Sequence, residues 1–326
     1  KYLNFSLRVT EDILRGLNLS KDFIIIKFIV PLGISFYTLQ AISYLMDTYN
    51  NVIQPERNFG QYALYLAFFP KLISGPVERG GFLLPQIEKL KPFDYQRLID
   101  GSTRIIWGFF KKLIIADRLG VIVNTVFDSP DNYYRYSPIL ILAVFSFSIQ
   151  VYVDFSAYCD IAIGSAKILG IDLTENFNAP YLAKSVTEFW RRWHISFTSW
   201  LRDYIFIPLN FASRRKPSKL IQYLNIIIVF LVSGIWHGAN FTFIIWGLLH
   251  GIYQAIEAVT LNLRNKIVKK YSIGRSSFSH RVFQITRTFL LVTFAWIFFR
   301  ASNLKVSVNI IRSVLTLEGI TTKNAW

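Results

Sequence analysis

Two histidines lie in the longest stretch of the chain without Asp, Glu, Lys or Arg. His237 and His250 belong to the sixteen residues WHGANFTFIIWGLLHG, Trp236 to Gly251, inside an uncharged run from Leu220 to Ile256. A titratable ring in a stretch fit for lipid is costly, and such residues mark function by default. A buried imidazole stays neutral, because desolvation disfavours its charged form. Neutral imidazole can take a proton from a hydroxyl, which is general-base work. His237 is therefore a candidate general base toward a hydroxyl; the competing reading is an interhelical hydrogen bond. Asn240 could orient its ring or stabilise an oxyanion, and Gly234 and Gly238 allow close backbone approach. His250 would lie roughly 140° from His237 on a continuous helix. Gly247 and Gly251 beside it fit close helix packing, so His250 reads as structural.

The second stretch is SVTEFWRRWHISFTSWLRDYIFIPL, residues 185–209. Ser185 and Glu188 have capping-box spacing, so a helix is predicted to start there. At helical spacing Trp190, Trp193, His194, Phe197, Leu201 and Tyr204 share one face, with Arg191, Arg192, Ser199 and Arg202 largely elsewhere. An aromatic face backed by arginines suits a helix lying at a membrane surface, with His194 pointing inward. The plainer alternative is an anchor helix with a satisfied core histidine.

Other chemistries find little support. There is no HExxH, no CxxC and no carboxylate cluster at ligand spacing, so no metal site is expected. Neither a G-x-S-x-G elbow nor a P-loop occurs. Cys159 is the single cysteine, which excludes an internal disulfide. Asp154, Asp160 and Asp203 could belong to a proton path, and Asp203 could equally pair with an arginine. The run GPVERGG, with Glu78 and Arg79, could cradle a donor phosphate, on a pattern of low specificity. His280 sits in a basic, Ser-rich loop and reads as solvated.

The elements that must hold these residues are those of a polytopic membrane protein. Of 326 residues 52% are hydrophobic and only 17% charged, against nearer 25% charged in soluble domains. The apolar blocks alternate with basic clusters. The net charge of +16 flanks hydrophobic spans, where positive-inside placement and anionic lipid explain it; nucleic-acid binding is not expected. Residues 23–46 read as a span interrupted by Lys27. Residues 59–77 carry Pro70, Gly75 and Pro76, too many breakers for a straight span, so a re-entrant or interfacial turn is predicted. Residues 102–127 read as an amphipathic or partial span, 138–159 and 282–299 as spans, and 304–316 as the start of another. The loop 128–137 has no positive excess and is placed outside, with 210–219 in the cytoplasm.

Basic residues flank the uncharged run at both ends, Arg214, Arg215, Lys216 and Lys219 before it and Arg264, Lys266, Lys269 and Lys270 after it. Both ends therefore prefer the same side. One helix of that length would reach about 55 Å, too long for a single crossing of a ~30 Å core. Two helices of about 18 residues fit, with the turn near Gly234 to Asn240 and His237 at the inner end of the hairpin.

These motifs resemble the membrane-bound O-acyltransferase family, in particular its bacterial alginate O-acetyltransferase-like branch. The resemblance rests on GISFYTLQAISYLMD (33–47), FFPKLISGPVERGGFLLPQI (68–87), VYVDFSAYCDIAIG (151–164), FWRRWHISFTSWLRDYIFIPL (189–209) and SGIWHGANFTFIIWGLLHG (233–251). It implies an all-α polytopic fold, a ring of tilted and broken transmembrane helices around a central tunnel. The chain 1–326 is expected to be one membrane domain lacking N-terminal and C-terminal helices of the full-length protein. It implies that His237, in the family's WHG motif, is the catalytic histidine and that His194, in RWHxS, belongs to the reaction path. Trp236, Asn240, Trp190, Trp193, Asp203 and Tyr204 are expected to line the substrate channel. It further implies an acyl thioester donor, acetyl-CoA or a loaded acyl carrier protein, as substrate with no bound cofactor. The acceptor implied is a cell-envelope or extracellular polysaccharide, reached directly or through an extracytoplasmic acyltransferase partner. The location implied is the bacterial inner membrane, with lipids as neighbours. D-alanyl transfer from a carrier protein is the variant reading. A transporter or a scaffold in polysaccharide export is the rival class; either would move or hold substrate without covalent change.

Overall fold

The computed structural model describes residues 3–17, 31–89, 91–211, 217–271, 274 and 277–317. Among these residues regular structure is helical, apart from one isolated antiparallel bridge between Phe177 and Trp193. The helices run α1 (Leu3–Gly16), α2 (Ile34–Tyr49), α3 (Phe59–Ala67), α4 (Gly80–Glu88), α5 (Tyr95–Phe110), α6 (Asp117–Phe127) and α7 (Ser137–Ile168). There follow α8 (Val186–Arg192), α9 (Ile195–Leu201), α10 (Ile207–Phe211), α11 (Lys219–His237), α12 (Phe241–Lys270), α13 (Phe278–Arg300) and α14 (Leu304–Thr316). Four of them, α7, α11, α12 and α13, are long and apolar enough to cross a bilayer. This is an all-α polytopic membrane protein.

The predicted hairpin is present. α11 ends at His237, three residues turn, and Asn240 caps α12, its Oδ1 accepting from the Thr242 N–H at 3.1 Å. α11 has 19 residues, about 28 Å at 1.5 Å per residue. α12 has 30 and continues past the apolar segment into the basic stretch. The two cross at van der Waals contact where Gly234 faces Gly247: a Cβ on Gly234 would stand 2.3 Å from the Phe243 carbonyl oxygen, and one on Gly247 2.2 Å from that of Phe230.

The breaker-rich segment is broken as its prolines and glycines require. α3 stops at Ala67, a single 3-10 turn covers Phe69–Lys71 with Pro70 in its first turn, and α4 begins only at Gly80. The irregular backbone between is covered by protein. The Lys71 ammonium, fully buried, donates to Gln40 Oε1 and, at 2.7 Å, to the Tyr65 carbonyl.

Two expectations need correction. The helix predicted from Ser185 is not continuous. Ser185 does cap it, Oγ accepting from the Glu188 N–H at 3.0 Å, but α8 ends at Arg192 and a new helix starts at Ile195. Between them Trp193 is extended and His194 adopts φ 45°, ψ 53°. Nor does Glu188 complete the capping box, since its carboxylate accepts from the Lys184 N–H and pairs with Arg192. The partial span at 102–127 belongs to a longer helical run that starts at Tyr95, with Asp94 as its cap, and contains a π-helical turn at Lys111–Ala116. Of the expected span 23–46, residues 23–30 lie outside the described residues, as do Arg214, Arg215 and Lys216 of the basic cluster.

Candidate active site

His194 is placed by its own strained backbone and by a clamp from a distant loop. The Asn176 carbonyl accepts from the Ile195 N–H at 3.0 Å. Asn176 Oδ1 accepts from the Ser196 N–H at 3.1 Å and from the Ser196 hydroxyl at 2.6 Å. Ser196 Oγ in turn accepts from the Val77 N–H at 2.9 Å, tying the broken segment to α9. A non-glycine residue in the left-handed region persists only where its surroundings over-determine it, and such strain clusters at functional sites. Here those surroundings turn the His194 ring inward, 4.7 Å from Phe155 and 5.0 Å from Phe197 between ring centres. The ring is buried, and neither nitrogen has a hydrogen-bond partner among the described residues. Burial, with the neighbouring His237, holds its pKa well below the ordinary histidine range.

His237 arrives from the other side, on the last turn of α11. Its ring stands edge-on to Trp236, Trp246 and Phe299 at 4.8, 4.9 and 5.1 Å. The two histidines meet in one cavity of about 430 Å³. Phe36, Phe147, Phe155, Trp236 and Phe299 supply its apolar wall, and Ser35, Ser74, Gln150, Asp154 and Arg300 its polar groups. Asp154 pairs with Lys112 at 2.8 Å and Arg300 with Asp128 at 2.7 Å, so both charges are compensated. A second hollow of about 450 Å³ shares Ser74, Asp154 and Phe155 with the first. A third, of about 590 Å³, lies between α8, α9, α11 and α12 and includes Trp190, Arg191, Thr198, Arg202 and Gln254.

The expected channel residues divide. Trp236 lines the cavity, stacked on Phe197 at 4.4 Å, its indole N–H donating to the Ser35 carbonyl at 3.2 Å. Trp190 lines the third hollow instead, and Trp193 packs in the aromatic core against Trp296 at 5.2 Å. Asn240 lines neither; it caps α12, and its Nδ2 donates to the Ser302 carbonyl at 2.9 Å. Asp203 pairs with Arg79 and Arg202, and the Tyr204 hydroxyl donates to Asp47 at 2.7 Å under the Arg79 guanidinium. These two stand in a π-helical turn, Arg202–Phe206, away from the histidines. The phosphate cradle at GPVERGG is not formed. Glu78 is buried and accepts from the Thr174 N–H and hydroxyl at 2.6 and 2.9 Å, and Arg79 belongs to Asp203. Of the proposed proton-path acids, Asp160 is held by Arg104 and Lys111, and Asp154 alone reaches the cavity. Among the described residues no three His, Cys, Asp or Glu side chains gather as metal ligands would.

Sequence reasoning missed Gln150, Ser35, Phe36, Phe299 and Arg300. A signal for Gln150 existed: with Asp154 it places two polar side chains one turn apart on an otherwise apolar span. Ser35 and Phe36 carry no local signal, because the chain returns from Trp236 to meet them.

A pair of short helices broken at His194 and a membrane hairpin thus bring two histidines to one cavity of a polytopic membrane protein. The chain belongs to the membrane-bound O-acyltransferase family, whose sequence signature matches residues 56–302. It is 38% identical to a probable alginate O-acetylase of Pseudomonas aeruginosa, over 94% of this chain and 55% of that protein. It is 35% identical to a peptidoglycan O-acetyltransferase of Helicobacter pylori, over 96% and 62%. It is 29% identical to a teichoic acid D-alanyltransferase of Bacillus subtilis, over 82% and 68%. The chain thus spans little more than half the length of the alginate O-acetylase.

Proposed function

We propose that this protein is an O-acyltransferase of the bacterial inner membrane. It moves an acyl group, acetyl by likeness to the O-acetylating relatives, from a cytoplasmic thioester to a hydroxyl of an extracytoplasmic glycan, directly or through an extracytoplasmic acyltransferase partner. The observation that carries the reading is the shared cavity: His194 and His237 face one space, and the His194 nitrogens have no partner among the described residues. His237 acts as general base and takes the proton of the incoming hydroxyl. The oxygen attacks the thioester carbonyl, the C–S bond breaks, and the thiolate leaves and is protonated. His194 positions the group along this path. No cofactor is required, since the thioester is itself the activated substrate.

Sidedness supports the same scheme. The basic residues at the start of α11 and the end of α12 put those ends in the cytoplasm. The length of α11 then carries His237 toward the opposite face, where Arg300 meets Asp128 of the loop read as external. The third hollow lies nearer the basic ends, and Arg191 and Arg202 in it suit the phosphates of a thioester donor. D-alanyl transfer from a loaded carrier protein is the second reading, favoured by the teichoic acid relative.

Membranes containing the full-length protein, supplied with labelled acetyl-CoA and cell-envelope glycan, test the proposal. Wild-type protein transfers label to the glycan, and His237→Ala lowers the rate by about 10²- to 10⁴-fold, the usual contribution of a general base. Transfer at the wild-type rate by His237→Ala overturns the assignment. Label accepted only from a loaded carrier protein moves the conclusion to the second reading.

A further inference from the structure

A fourth hollow, of about 510 Å³, lies between the basic end of α12 and the start of α13, remote from the histidine cavity. Arg264, Asn265, His280, Gln284 and Arg287 supply its polar groups, and Leu261 and Phe283 part of its apolar wall. We infer that this hollow is a binding site for the headgroup of an anionic phospholipid, its phosphate held between Arg264 and Arg287.

Charge is the first ground. Two guanidiniums on facing helices enter one space, and the carboxylate nearest them is already engaged. Glu257 accepts from the Val186 N–H, the Thr187 N–H and the Thr187 hydroxyl at 2.8, 3.0 and 2.9 Å. It reaches Arg287 only at 3.9 Å. Arg264 donates to the Glu257 backbone carbonyl, and Arg287 makes one long bond, 3.4 Å, to the Lys184 carbonyl. Among the described residues the Nε–H of each arginine is buried without an acceptor. Arginine forks match phosphate oxygens in pairs, and a buried donor left unmet costs more than a made bond returns.

Depth is the second ground. The uncharged part of α12, Phe241–Ile256, is about 24 Å long, so the residues after Glu257 stand at the level of lipid headgroups. Leu261 and Phe283, 50% and 62% exposed in the bare protein, then face the upper acyl chains while the arginines face the phosphate. Lys266, Lys269, Lys270 and Arg281 lie on the same two helix ends but line no part of the hollow. The chemistry recognised is a phosphate anion; the mixed polar and apolar wall assigns it to a lipid and not to a soluble phosphate.

The site is independent of the acyl-transfer reading and is tested without an activity assay. Full-length protein is reconstituted in equimolar phosphatidylglycerol and phosphatidylcholine, extracted, and examined by native mass spectrometry. Phosphatidylglycerol is retained at least five-fold over phosphatidylcholine, and Arg264→Gln with Arg287→Gln reduces that retention at least five-fold. Lys266→Gln with Lys269→Gln, outside the hollow, leaves it within two-fold. Equal retention of the two lipids, or retention unaltered by the arginine pair, overturns the proposal. If the arginine variant does not fold, the comparison of lipids on wild-type protein decides alone. Added phosphatidylglycerol raises the melting temperature of lipid-stripped protein and millimolar inorganic phosphate does not; the reverse result overturns the lipid assignment.

Discussion

The Trp190 indole N–H donates to His250 Nδ1 at 3.1 Å, joining α8 to the middle of α12. That bond fixes the His250 proton on Nε2 and encloses the ring among Trp190, Trp246, Phe189 and Tyr253. His250 and His237 both stand edge-on to Trp246, at 5.1 and 4.9 Å. One indole thus touches both the packing histidine and the cavity histidine.

His250→Ala accordingly acts on stability. It strands the Trp190 N–H in a dry aromatic core and leaves a void, together costing about 2–5 kcal/mol. The melting temperature in detergent falls, while the folded fraction transfers acyl groups within about three-fold of wild type, a change of under 1 kcal/mol. A loss of a hundred-fold in protein that still melts normally would place His250 in the chemistry.

His194 separates backbone from ring. Its φ of 45° is a conformation asparagine tolerates and a β-branched residue does not, at about 1–2 kcal/mol for ordinary side chains. His194→Asn therefore keeps the melting temperature within a few degrees, whereas His194→Val lowers it further. Both lose transfer by about 10- to 100-fold if the ring positions the reacting group, an effect of about 1.4–2.7 kcal/mol on the barrier. Equal melting temperatures for the two variants would show that the turn at 194 carries no strain.

How much of this was legible in the sequence differs by element. The hairpin was, because a charge-free run between two basic flanks admits one geometry once bilayer thickness is given. The broken segment was, because Pro70, Gly75 and Pro76 forbid a straight helix locally. The break at His194 was not. FWRRWHISF has unbroken helical periodicity, and what ends α8 is a clamp on Ile195 and Ser196 by Asn176 from elsewhere in the fold. The face predicted for an unbroken helix therefore put Trp190, Trp193, His194 and Tyr204 together, whereas the kink leaves Trp190 and Trp193 in one aromatic core, His194 at the cavity and Tyr204 against Asp47. Asn240 was misjudged for the opposite reason: its nearness to His237 is sequential, and its side chain is consumed in capping the next helix.

The crossing of α11 and α12 sets where His237 stands, and it depends on two missing side chains. Gly234→Ala or Gly247→Ala drives a methyl into a backbone carbonyl on the facing helix, and the helices must part at a cost of about 1–3 kcal/mol. Gly251→Ala meets its nearest atom, Ile227 Cα, at 2.9 Å and is milder. The expected order of melting temperatures is wild type, Gly251→Ala, then the other two. Activity falls more steeply than stability in the Gly234 variant, because His237 lies less than one turn away on the same helix. An activity loss no larger than that of Gly251→Ala would show that the cavity does not depend on this crossing.

Lys71 offers a test of the broken segment through pH. It stands outside the four spans, and burial pushes its pKa down to about 7, offset in part by the Glu78 charge. In the unfolded chain the ammonium titrates near 10.5, so between these values the unfolded state binds the extra proton. Stability then rises with pH across that window and is lost again as pH falls toward 7, by at most about 1.4 kcal/mol per pH unit. Lys71→Met removes this dependence while leaving the Gln40 and Tyr65 oxygens unmet, at about 1–3 kcal/mol. The melting temperature of wild type relative to that of Lys71→Met therefore rises from pH 7 to pH 9. A gap constant over that range would mean that Lys71 keeps its proton in the fold and that the turn at Phe69–Lys71 is held by a buried charge.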